Sequence, residues 1–259
     1  MRIGFLILAI ALAALAILAF QYGGKWFAEP PPEAAAPVAV PKQAAAAQSP
    51  APEPVAVEPA APAIVLPELD SSDVWVVERL AGLGVPAQWL DREGLVRRLA
   101  VLIDNAPRGE YPRRQLGFLA PTGAFKVFKL GDEIFLDPAS YARYDGYLDL
   151  LESIDPQSLA DTLVMLEPLI TQGLAELGNQ RPMAAQISTA IDDIAALQGL
   201  GDEVRLVQPR VLYEFADPQL EALSPLLKQA LRLGPDNLGR LQSYLRRFQQ
   251  ALLVPQEPG

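Results

Sequence analysis

Residues Ile3 to Phe20 read IGFLILAIALAALAILAF, eighteen positions without a single charge. As an α-helix rising ~1.5 Å per residue they reach about 27 Å, close to the ~30 Å hydrocarbon core of a bilayer. Tyr22, Lys25 and Trp26 follow directly, residue types that favour the membrane–water interface. The run therefore predicts a transmembrane helix. It is longer than the ~7–15-residue apolar core of a cleaved signal, and Phe20 and Tyr22 interrupt any small-x-small cleavage site, so the anchor is expected to stay attached. Positive charge lies ahead of it at Met1 and Arg2, whereas Glu29 and Glu33 soon follow Lys25. The amino end is expected in the cytoplasm and the remainder on the far side.

Composition narrows the chemistry available to that remainder. With no cysteine, the chain has no disulfide, no thiol nucleophile and no cysteine for lipid attachment. Without histidine it has no Ser-His-Asp triad, no histidine base and no histidine-ligated zinc or haem. No metal, cofactor or catalytic residue is expected. The 21 basic and 31 acidic residues give a net charge of −10, which argues against nucleic acid as a partner.

The chain divides into four parts. Residues 1–28 are the anchor and its flanks. Residues 29–67 are rich in Pro and Ala with no apolar periodicity, which predicts a disordered linker reaching up to about 120 Å at ~3.1 Å per residue in polyproline II. Residues 68–254 are long enough to bury one core, and 255–259 form a disordered tail. The expected fold is mainly α (α+β): about seven helices with a small antiparallel hairpin or sheet.

Within the domain, Ser71 or Ser72 is placed to cap a first helix carrying Val74, Val77 and Leu80. Leu95, Leu99, Leu102 and Ile103 stripe a second, which ends at Pro107 and Gly109. Phe125, Val127 and Ile134 flank Gly131-Asp132 as a hairpin. Asp137-Pro138, Asp155-Pro156 and Asp217-Pro218 each read as an N-cap followed by proline in the first helical position. Behind them run the stripes Tyr141/Tyr144/Leu148/Leu151, Leu159 to Leu177 across a kinking Pro168, and Leu220/Leu223/Leu227/Leu231. Ile187, Ile191 and Ile194 mark another helix, and Leu238, Leu241, Leu245 and Phe248 the last, after Gly234-Pro235. Residues 204–207 and 210–215 are expected as short strands beside the hairpin.

Two clusters carry potential chemistry. Asp145, Asp149 and Glu152 lie one or two turns apart, a spacing at which two carboxylates could share acid and base roles on a glycan; a solvated helix face is the simpler account of them. Tyr141, Arg143 and Tyr144, with Asp104 or Arg113, could bind a polar ligand such as a sugar, or tie hairpin to helix. Charge is also segregated: eleven acidic residues against the single Arg181 lie between Asp145 and Glu203, while 92–129 and 205–247 are net basic. That pattern predicts internal pairing, or an acidic surface for a basic partner or divalent cation.

The segments WLDREGLVRRLAVLIDNAPRG (89–109), DPASYARYDGY (137–147) and QPRVLYEFADPQLEALSPLLKQALRLGPDN (208–237) together resemble the proteobacterial family catalogued as domain of unknown function 3014. That family's usual Gln-Lys-x-Leu-Leu-Arg-Met-Gly-Pro phrase stands here as LKQALRLGP, with Lys228 and Arg232 matching and Leu227 and Leu233 replacing the glutamine and methionine. Lys228 and Arg232 join the candidate binding residues. The resemblance implies a Gram-negative envelope protein with an amino-terminal anchor and supplies no catalytic residue. The resulting expectation is a single-pass inner-membrane protein with a periplasmic domain that binds an envelope protein partner; the alternative is a carboxylate-dependent enzyme or binding protein acting on envelope glycan.

Overall fold

The three Asp-Pro pairs act as the chain's spacing predicts. Asp137 Oδ1 accepts from the Ala139 amide at 2.8 Å, Asp155 Oδ2 from Ser158 at 2.8 Å and Asp217 Oδ1 from Gln219 at 2.8 Å. Each opens a helical segment with proline in its first turn, where a missing N–H costs nothing. The computed structural model describes residues 65–86, 90, 93–112, 121, 123–201 and 203–254. The expected transmembrane helix, almost all of the linker, the tail and Arg113 lie outside the described residues. Among the described residues no helix is long and apolar enough to cross a membrane.

Eight α-helices and a four-stranded sheet are formed by the described residues. In order they are α1 (Asp73–Gly82), α2 (Leu95–Asn105), β1 (Val127–Leu130), β2 (Glu133–Leu136), α3 (Asp145–Glu152), α4 (Pro156–Glu176), α5 (Met183–Ala195), β3 (Arg205–Val207), β4 (Glu214–Phe215), α6 (Pro218–Glu221), α7 (Pro225–Leu231) and α8 (Pro235–Leu253). A 3₁₀ segment, Pro138–Tyr144, joins β2 to α3.

The core is built around α4. Its Leu159, Leu163, Leu166, Ile170 and Leu174 are essentially inaccessible, each contributing about 1.5–3 kcal/mol of transfer free energy. α4 packs against α2 on one side and α8 on another, and α8 also meets α5. The α2–α4 contact depends on Gly173, where a Cβ would come within 3.0 Å of the Ala100 Cβ. Pro168 lies inside α4, a helix 21 residues long in all that runs on past it to Glu176.

Two stripes differ from the periodic reading. In α1 Leu80 is buried and Val77 packs against the core as the spacing predicts, but Val76 is buried as well while Val74 is 72% exposed. The stripe from Leu220 to Leu231 is not one helix. Ser224 caps a new start, its Oγ accepting from Leu227 N, and Pro225 follows, so α6 ends and α7 begins as a separate helix. The Leu226 amide, freed by that break, donates to the Gly109 carbonyl at 3.0 Å.

The sheet order is β1-β2-β3-β4, antiparallel throughout. The register places Phe128 opposite Phe135, Leu130 opposite Glu133, Phe135 opposite Arg205 and Val207 opposite Glu214. With the two-residue alternation of strands, Phe128, Leu130, Glu133, Phe135, Arg205, Val207 and Glu214 share one face. Leu136, Leu206 and Phe215 belong to the other face and join the core.

Candidate functional site

Asp149 and Glu152 are not poised for acid–base work. Arg240 of α8 reaches both, at 2.6 Å to Asp149 Oδ1 and 2.6 Å to Glu152 Oε2. The Asn237 amide donates to Asp145 Oδ1 at 2.9 Å. All three carboxylates of that helix face are thus tied to the start of α8. The same pairing of acidic and basic segments recurs where Arg97 of α2 grips Glu176 at the end of α4.

The tyrosine–arginine cluster is assembled in part. Tyr144 is completely buried, and burial pushes its phenol well above the ordinary tyrosine range against the pull of Arg143 and Arg232. Arg143 lies over the rings of Phe125 and Tyr144, at 5.5 and 5.3 Å from their centroids, and its Nε donates to the Ser140 carbonyl at 2.9 Å. Tyr141 is half-buried, its phenol pushed up to about 12 by desolvation, with its ring pressed on Gly234. Arg232 stacks on Phe215 at 5.8 Å.

Asp104 does not join them. Its carboxylate is held by Arg108 at 2.6 Å and by Asn179 at 2.7 Å, and the Arg108 guanidinium keeps it below the usual carboxylate range. Lys228 also serves the scaffold: its Nζ donates to the Glu221 carbonyl at 2.9 Å and to Glu221 Oε1 at 2.5 Å. Glu221 Oε2 in turn accepts from the Phe215 amide, so Lys228 fastens α6 and α7 to β4.

What the sequence reading did not locate is a cleft on the outer face of the sheet. It encloses about 680 Å³ among β2, β3 and the turn into α6. Phe135, Leu200, Pro218 and Leu220 give it apolar walls, and Glu133, Glu203 and Asp217 bring carboxylates to it, with Arg205 paired to Glu133. Phe128 stacks on Phe135 at 5.4 Å and carries the apolar surface out onto β1. Phe128 and Leu130 there are 45% and 69% exposed, and Val207 on β3 is 43% exposed. The alternation Val-Phe-Lys-Leu in β1 was the one available signal, but it does not say which face the core takes.

Among the described residues no group of carboxylates is arranged to hold a metal ion.

A family model described as a protein of unknown function (DUF3014) matches residues 95–249. The chain belongs to that family. The DUF3014 match takes in α2 through nearly all of α8, and with them the sheet, the cleft and the tyrosine–arginine cluster. No curated protein and no solved structure matches the chain.

Proposed function

We propose that this DUF3014 protein is a membrane-tethered, non-catalytic binding module of the bacterial cell envelope. In this reading Ile3 to Phe20 anchor it in the inner membrane, the Pro/Ala-rich residues 29–67 act as a spacer, and the helical domain engages a protein partner on the periplasmic side. The observation that carries the binding role is the outer sheet face, where exposed Phe128, Leu130 and Val207 adjoin the 680 Å³ cleft. Exposed apolar side chains set among charged ones, here with Glu133 and Arg205 between the strands, are what a non-obligate protein interface presents.

The rim selects the partner's chemistry. Glu133, Glu203, Asp217 and Glu214 outnumber Arg205 on this face, so the occupant is a segment of a partner protein with an apolar side chain next to lysine or arginine. The glycan-enzyme reading loses support because Arg240 and Asn237 occupy the carboxylates it would need.

A photo-crosslinking residue placed at position 128 or 130 of the full chain, in its own membranes, tests this. The expected result is one discrete protein adduct from both positions, absent from a probe at the exposed Asp161 and lost when Leu130→Asp is combined with the probe at 128. Equal adducts from all three positions, or none, would overturn the assignment. Deleting residues 3–20 should move the protein from the membrane to the soluble fraction; retention in the membrane would refute the anchor.

A further inference from the structure

A separate set of hydrogen-bond donors collects at the buried Tyr144 hydroxyl. Arg143 Nη2 approaches it at 3.5 Å, too far for more than a weak bond. Arg143 has one good hydrogen bond, from Nε to the Ser140 carbonyl, and among the described residues no carboxylate lies within ion-pair distance of it. Gln229 of α7 is 3% exposed and its side-chain amide faces the Tyr144 hydroxyl, but among the described residues its Nε2 reaches no acceptor in good hydrogen-bond geometry. A buried amide donor without a partner costs roughly 1–3 kcal/mol, which an acceptor oxygen would recover. Arg232 adds positive charge felt at the same hydroxyl. Phe125 lies beneath the Arg143 guanidinium with Tyr213 at 5.8 Å from it, giving the donors an aromatic flank.

We propose that Arg143, Gln229 and Tyr144 form a binding site for the carboxylate of a small organic acid whose apolar body rests on Phe125 and Tyr213. Planar guanidinium donors match a planar carboxylate. A single negative charge is also cheaper to strip of water beside these buried donors than the double charge of a phosphate, and the protein's net charge of −10 adds a further bias against the dianion. The aromatic flank favours an acid with a flat or apolar body over a bare ion.

The test uses the purified full-length chain and isothermal titration with three probes: sodium phenylacetate, sodium acetate and inorganic phosphate. Phenylacetate is expected to bind saturably and most tightly. Arg143→Met should weaken it tenfold or more, Arg143→Lys less, and Tyr213→Ala should weaken phenylacetate while leaving acetate unchanged. Gln229→Met, which keeps the volume and removes the donor, provides a second variant; unaltered circular dichroism spectra identify variants that remain folded. Tighter binding of phosphate than phenylacetate, absence of saturable phenylacetate binding, or undiminished affinity in both folded Arg143→Met and Gln229→Met would overturn the site.

Discussion

Gly234→Ala probes the junction on which the cluster rests. Gly234 has φ 85° and ψ 164°, a region open essentially to glycine alone, and an alanine held there costs about 1–3 kcal/mol of backbone strain. Its new Cβ would also lie 2.6 Å and 2.7 Å from Tyr141 Cδ2 and Cδ1, well inside van der Waals contact. Relieving that overlap by moving the ring or the turn costs a further ~1–3 kcal/mol. The sum, about 2–6 kcal/mol, is a large share of a typical domain's stability. Urea denaturation followed by the helical circular dichroism signal gives the midpoint and slope for the parent, Gly234→Ala, Tyr141→Ala and the double variant. In the Tyr141→Ala background the glycine substitution should cost only the backbone part, so the cycle should return a coupling of ~1–3 kcal/mol. Additive costs would refute the contact, and an unchanged midpoint in Gly234→Ala would refute the backbone geometry as well.

Asp155→Ala should destabilise the domain by about 1 kcal/mol, because the Ser158 amide at the start of the central helix loses its acceptor; Asp217→Ala, which caps only the four-residue α6, should cost less. Acid should act through the same groups. Asp155, held below its ordinary value by the Ser158 amide, and Asp104, held down by Arg108, favour the fold above the ordinary aspartate value of 3.8. Their contribution is lost as pH falls from there through the depressed folded values, and Asp155→Asn should flatten the thermal-melting profile over that range. At the alkaline end, burial raises the Tyr141, Tyr144, Tyr147 and Tyr244 phenols, Tyr141 to about 12. The neutral phenols favour the fold fully below pH 10, and that stability declines as pH rises through 10 to 12. Absorbance at 295 nm should therefore show these tyrosines ionising late, with the unfolding transition rather than near pH 10.

Much of the architecture was legible because its signals act within one turn of chain. An aspartate two or three residues before a free amide, followed by proline, caps a helix wherever it occurs, and Asp137, Asp155 and Asp217 all do so. Leu238, Leu241, Leu245 and Phe248 repeat at the helical period, and all four are buried. The Gly131 turn sits between two apolar strands, with φ 60° at the glycine. The family was legible too, through several blocks in the right order. The Ser224-Pro225 break was written just as locally, but the leucine spacing continues across it and suggests one helix where the proline enforces two.

Other features depend on which faces meet. Val74 and Val76 are equally apolar, and only the packing partner of α1 decided that Val76 goes inside. Arg143 and Gln229 are 86 positions apart, and both reach the Tyr144 hydroxyl only because distant segments pack together. Likewise, Asp104 was drawn to Arg108 and Asn179 and away from the tyrosines it was expected to join. The cleft is the clearest case. It arises because β3 pairs with β2 some seventy residues earlier, leaving Phe128, Leu130 and Val207 on the face that the helices do not cover. By itself the sequence determined where helices start, which residues are apolar and what chemistry is absent, since these follow from local sterics and composition. The tertiary structure alone decided which charges are neutralised and which apolar face stays in water, because both depend on contacts between segments distant in the chain.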